Sequence, residues 1–137
     1  MMYDWTKFAA DMSGTLKELH DASPDVMNSF SRLARAANAP GGALDTKTKE
    51  LISVALSVAA RCDACVTFHT NAAVNYGATR AEVVEAINMA VFMGAGPAVM
   101  YGALALEAFD QHLAKATPPA AAKQPEAPKP DETSSPA

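Results

Sequence analysis

The chain is poor in several things, and each shortage excludes something. Its 11 basic residues face 15 acidic ones over 137 positions, for a formal charge of −4. They are spread thinly, with no basic stripe to track a phosphate backbone, so nucleic acid is not an expected partner. An export signal is missing. Met1-Met2-Tyr3-Asp4-Trp5 has no basic n-region, and Asp4, Lys7 and Asp11 interrupt any apolar run, which points to the cytoplasm. There is no convincing alternating run and no Asn-Gly hairpin signal, so strands are not expected and the fold class is all-α. Charge is absent between Glu85 and Glu107, a stretch long enough to span a bilayer as one helix. Gly94-Ala95-Gly96-Pro97 interrupts it at the middle, and the expectation is two buried helices with no membrane span.

What is present is apolar periodicity. Half of the residues are hydrophobic, enough for one packed domain. Trp5, Phe8, Ala9, Met12, Leu16 and Leu19 recur at spacings of three and four, predicting an amphipathic first helix that docks one stripe on the core. Ser23-Pro24 opens a second, with Val26, Met27, Phe30, Leu33, Ala34 and Ala37 on one face, and Pro40-Gly41-Gly42 follows it. Asp45 caps a third whose body, Leu51 to Ala60, is apolar on nearly every side and should be central and buried. Glu50, Ser53 and Ser57 form its one polar stripe, the serines bonding back to their own helix.

A fourth helix is expected over Cys62 to Tyr76, ended by Gly77. Thr79-Arg80-Ala81-Glu82 matches a capping box that opens a fifth, and a sixth is expected from about Pro97 to Lys115. Tyr76 and Tyr101 fall at helical spacing, and packing is the default reading for both. The resulting organisation is a bundle of about six helices over 1–116, followed by a Pro/Ala-rich disordered tail over 117–137. Residues 118 to 137 hold six of the nine prolines and no aromatic residue. Seven Met and the charge-poor span leave more apolar surface than a small monomer hides, so a homo-oligomer is expected.

Cysteine is scarce as well. The only two stand as Cys62-Asp63-Ala64-Cys65, with His69 one turn beyond. On a helix, Cys62, Cys65 and His69 fall within an arc of roughly 60°, which gathers two thiols and an imidazole on one face. Without export, such a pair is redox-active or metal-binding rather than a structural disulfide. Structural zinc wants four ligands. Only His20, His69 and His112 remain as candidates of the usual type and no second CxxC exists, so ligand count argues against a metal. A carboxylate at Glu50 on the preceding buried helix needs a partner. The order of thiol roles is open on physical grounds: the helix start favours Cys62 as the low-pKa thiol, whereas the neighbouring imidazole favours Cys65.

Glu50, then eleven residues, Cys62-x-x-Cys65, three residues and His69, followed by a Gly-terminated helix and a capped one, resembles the alkylhydroperoxidase-like (AhpD-like) branch of the carboxymuconolactone decarboxylase family. The likeness covers about residues 24 to 115. It implies an all-α fold assembled as a homotrimer or homohexamer, with thiol peroxidase or disulfide reductase activity and neither metal nor organic cofactor. By that resemblance Cys65 attacks the peroxide, Cys62 resolves, His69 passes the proton and Glu50 is the base completing the relay. A lipoyl-bearing or thioredoxin-like dithiol protein would be the reductant. One position departs from the family's best-known peroxidase pattern: Ala64 stands where a relay histidine precedes the second cysteine, which bears on peroxide turnover and leaves dithiol exchange intact. Two other readings remain: a lactone-processing decarboxylase of the same family, which does without the cysteine pair, and a non-catalytic helical module or redox sensor.

Overall fold

The helix ends follow from local side-chain chemistry. In a computed structural model that describes residues 1–117, Asp45 accepts the Thr48 N–H at 2.7 Å. Thr79 and Glu82 close a reciprocal capping box, with Thr79 N–H donating to Glu82 Oε2 at 2.8 Å and Glu82 N–H to Thr79 Oγ1 at 3.2 Å. Gly77 takes the left-handed conformation (φ 80°) that terminates the fourth helix. The elements are α1 (Trp5–Ala22), α2 (Pro24–Ala37), α3 (Thr46–Ala60), α4 (Asp63–Asn75) and α5 (Arg80–Ala116), with no strand among the described residues. The all-α expectation is met. The tail expected over 117–137 lies, beyond Thr117, outside the described residues.

Five helices stand where about six were expected, because the last two are joined. α5 is bent double at Ala95, whose φ of 50° and ψ of −140° are not helical. A straight helix would hold residues 80 and 110 about 45 Å apart. Instead Arg80 Nε and Nη2 reach the Asp110 carboxylate at 2.9 and 3.1 Å, and a Cβ on Gly102 would stand 2.7 Å from Ile87 Cγ2. The charge-free run is long and apolar enough to cross a membrane by length and composition, yet it forms two limbs lying back to back, and these are not the buried helices expected, since Met89, Phe92, Met93 and Met100 are exposed.

α3, α4 and both limbs of α5 build the core from Val54, Val58, Val66, Ala73, Val83, Ile87, Ala105 and Phe109, all buried. α1 lies across α4 and α5 and is fastened by its first residue. Trp5, 1% exposed, donates from Nε1 to Glu107 Oε2 (3.0 Å) and from its backbone to Gln111 Oε1 (2.8 Å). Its carbonyl accepts from Thr67 Oγ1 at 3.0 Å.

Two expectations are corrected. Ser23 stands at the N-cap of α2, but its side chain makes no capping bond, and Pro24 at the first helical position sets the start. α3 is central in its packing, yet Ile52 and Leu56 face outward and are exposed. α2 buries none of its residues: Val26, Phe30 and Leu33 are 62–67% exposed, and among the helices only α1 touches it.

Candidate active site

The site begins where α3 ends. Arg61 adopts the left-handed conformation (φ 55°, ψ 46°), its N–H donating to Val58 O and that of Cys62 to Ser57 O, each at 3.2 Å. This pair of bonds is a Schellman closure, ordinarily given to glycine. It turns the chain so that Cys62 is at once the residue leaving α3 and the N-cap of α4. The fourth helix therefore starts at Asp63 rather than Cys62, and Cys62 caps it with sulfur: Sγ accepts the Cys65 N–H at 3.2 Å. The thiol end of Cys62 sits at the positive pole of the helix.

Cys62 and Cys65 are half-buried and joined as a disulfide, S–S 2.05 Å, with Cα atoms 5.2 Å apart. One turn on from Cys65, His69 Nδ1 lies 2.8 Å from Glu50 Oε2. The Glu50 side chain is 8% exposed, that of His69 36%. A carboxylate only accepts, so Nδ1 carries the hydrogen. When the ring is neutral, Nε2 is left as the basic nitrogen. Packing of α3 on α4 thus brings together Glu50, Cys62, Cys65 and His69, the four residues that spacing singled out. The other two residues of the polar stripe stay out of it: Ser53 and Ser57 donate to the carbonyls of Lys49 (2.9 Å) and Ser53 (2.6 Å). The remaining histidines are engaged elsewhere, His20 with Asn28 and His112 with Thr67. Among the described residues no group of three or more His, Cys, Asp or Glu is placed to hold a metal.

Two features were not visible in the sequence. Arg61 carries no glycine-like signal, so its left-handed turn is imposed by the surrounding structure. Tyr101, on the second limb of α5, is half-buried against the core, and its phenol is raised above the ordinary value by the Asp63 carboxylate first and by burial second, with Arg61 opposing. Helical spacing marked Tyr101 as packing; only the fold puts it beside the charged residues of the CxxC segment.

Fold and site together define a small all-helical protein whose dithiol, at a helix N-terminus, stands one turn from a carboxylate–imidazole pair. The sequence profile of the carboxymuconolactone decarboxylase family matches residues 24–108, and the chain belongs to that family. It is 42% identical over 92 residues to an uncharacterised protein of Cupriavidus necator, covering 67% of this chain and 80% of that one. An uncharacterised protein of the cox locus of Paracoccus denitrificans is 35% identical over 99 residues, 72% and 88% of the two chains. A crystal structure of a carboxymuconolactone decarboxylase family protein from Legionella pneumophila superposes with a TM-score of 0.77 at 45% identity, covering 80% of this chain and 96% of that one. A family member from Thermotoga maritima, for which a role in the antioxidative response has been suggested, superposes with a TM-score of 0.68 at 28% identity, with coverage of 75% and 87%.

Proposed function

We propose that the protein is a thiol-dependent peroxidase and disulfide reductase of the alkylhydroperoxidase-like branch. The observation that carries the reading is the Glu50–His69 bond standing one turn from a disulfide-forming Cys62–Cys65 pair. A suggested antioxidative role for the Thermotoga relative is consistent with it. A family member acting only on lactones has no use for such a pair.

In the proposed cycle His69 Nε2 takes the Cys65 proton, and Glu50 stabilises the resulting imidazolium. The Cys65 thiolate attacks the terminal oxygen of an organic hydroperoxide. The O–O bond breaks, the alkoxide leaves and takes the proton from His69 as an alcohol, and Cys65 becomes a sulfenic acid. The Cys62 thiolate, favoured at the N-cap, then attacks the sulfenic sulfur, and the hydroxyl leaves as water with the Cys62 proton. The disulfide accepts two electrons and two protons from an external dithiol, a lipoyl-bearing or thioredoxin-like protein, which ends as its own disulfide. No metal or organic cofactor enters the cycle. Ala64 supplies no second relay group within the motif, which bears on peroxide turnover and leaves dithiol exchange intact.

The working form is a homotrimer or homohexamer in the cytoplasm, without nucleic acid or membrane. Support comes from the exposed apolar faces of α2 (Val26, Phe30, Leu33) and α5 (Met89, Phe92, Met93). Light scattering of a clean monomer would remove that part. The activity is tested by mixing reduced protein with cumene hydroperoxide and reading intact mass and free thiols. Loss of two hydrogens and both thiols, with one alcohol formed per chain, is expected. Unchanged mass together with inert disulfide exchange would leave only the non-catalytic module.

A further inference from the structure

A second polar site lies behind the CxxC helix. Between α1, α4 and the last turns of α5 runs a groove of about 420 Å³. Its α4 wall, Phe68, Asn71 and Asn75, is roughly 100° round the helix from Cys65 and His69, so it is separate from the dithiol. His112, only 4% exposed, forms part of the lining.

The hydrogen bonds fix its tautomer. His112 Nε2 is 2.9 Å from Thr67 Oγ1, and that hydroxyl spends its single hydrogen on the Trp5 carbonyl at 3.0 Å. Nε2 must therefore be the donor, which leaves a lone pair on Nδ1. Nδ1 has no hydrogen-bond partner among the described residues, and since no sealed side-chain nitrogen there lacks one, it keeps some contact with solvent. The groove that His112 lines is where that contact can lie. Burial first, and then the charge of Lys115, hold this imidazole below its ordinary value. Every other group lining the groove, from α1, α4 or α5, is uncharged apart from Lys115, and none is a carboxylate. Lys115 forms no ion pair among the described residues. A cation, a buried imidazole with a free nitrogen and two carboxamides one turn apart thus face an apolar wall of Phe68, Ala9 and Ala10.

We propose that this groove binds a small organic carboxylate, its head between Lys115 and His112 Nδ1 and its hydrocarbon against Phe68, Ala9 and Ala10. An anion seated there reverses the balance that keeps the imidazole neutral, so each carboxylate bound draws a proton from solvent onto Nδ1. Binding tightens as pH falls.

The test titrates the full-length chain with hexanoate, and with hexan-1-ol as the uncharged arm, following the imidazole nitrogens of His112 and the carboxamides of Asn71 and Asn75 by NMR. Hexanoate should give saturable shifts, with Nδ1 moving toward its protonated position. Affinity should rise as pH is lowered toward the depressed value of this imidazole, by at most about tenfold per pH unit, the limit for one linked proton. Lys115→Gln, at an exposed position, should weaken hexanoate at least about fivefold. Ala10→Phe, which fills the groove from α1, should abolish the shifts. An equal response to hexanol, an affinity independent of pH, unaltered binding by Lys115→Gln, or no saturable shift in the wild type would each overturn the proposal.

Discussion

The α3–α4 and α4–α5 junctions are closed by the same pair of backbone bonds and differ in what they spend on them. After α4, Gly77 N–H reaches Val74 O at 3.0 Å and Ala78 N–H reaches Ala73 O at 2.9 Å; glycine holds the positive φ, and a threonine hydroxyl caps the next helix. After α3 the corresponding residues are an arginine and a cysteine. An L-residue in the left-handed region costs about 1–2 kcal/mol, and sulfur is a weaker acceptor than the oxygens usual at an N-cap. Both departures from the favourable choice fall at the junction that carries the dithiol, beside the Glu50–His69 pair. Of these two junctions, the one that only turns obeys the local rules and the one that places the dithiol breaks them; the bend of α5 at Ala95 is a second such departure, away from the dithiol.

The comparison breaks if either junction behaves like the other. The largest effect is expected at the α3–α4 side. Glu50→Gln keeps a hydrogen-bonding group against His69 Nδ1 but removes the charge that supports the imidazolium, and the rate of peroxide-dependent thiol loss should fall about 10²-fold or more with the fold intact. Stopped-flow thiol consumption measures it, and a rate within a factor of two or so of wild type would demote Glu50 to a structural partner. Next in size is Gly77→Ala, which forces a side chain into the left-handed region and should cost about 1–2 kcal/mol in urea unfolding without slowing the reaction. Smallest is Arg61→Gly. It relieves a similar strain at the expense of a more flexible unfolded chain, for a net gain of about 0.5–1 kcal/mol. A loss of stability there would mean that the arginine side chain, and not the backbone turn, holds the junction.

Much of this was legible because it is local. Asp45, Gly77 and the Thr79–Glu82 box act within a few residues of themselves, and sequence spacing was enough to place them. The chemical set was legible too, since Cys65 and His69 share a helix that Cys62 caps and Glu50 is the carboxylate on the preceding apolar one. What escaped depends on distant contacts. The pattern of Val26, Phe30 and Leu33 says that α2 has an apolar face, not what covers it, and among the described residues nothing does. Trp5 is held by Glu107 and Gln111 across about a hundred residues, and Thr67 joins it to His112. No periodicity encodes those bonds. The doubling of α5 lay between the two cases: Gly94-Ala95-Gly96-Pro97 marked the break, but the residue with the strained backbone is Ala95, not either glycine.

The unequal roles of the two cysteines are the most exposed part of the account, because the N-cap geometry alone would favour Cys62 as the attacking thiolate. Trapping the sulfenic acid with dimedone after peroxide treatment of Cys62→Ser and Cys65→Ser separates the possibilities by mass. The account predicts an adduct on Cys65 in Cys62→Ser and none in Cys65→Ser. An adduct on Cys62 in Cys65→Ser, with none in Cys62→Ser, would contradict it.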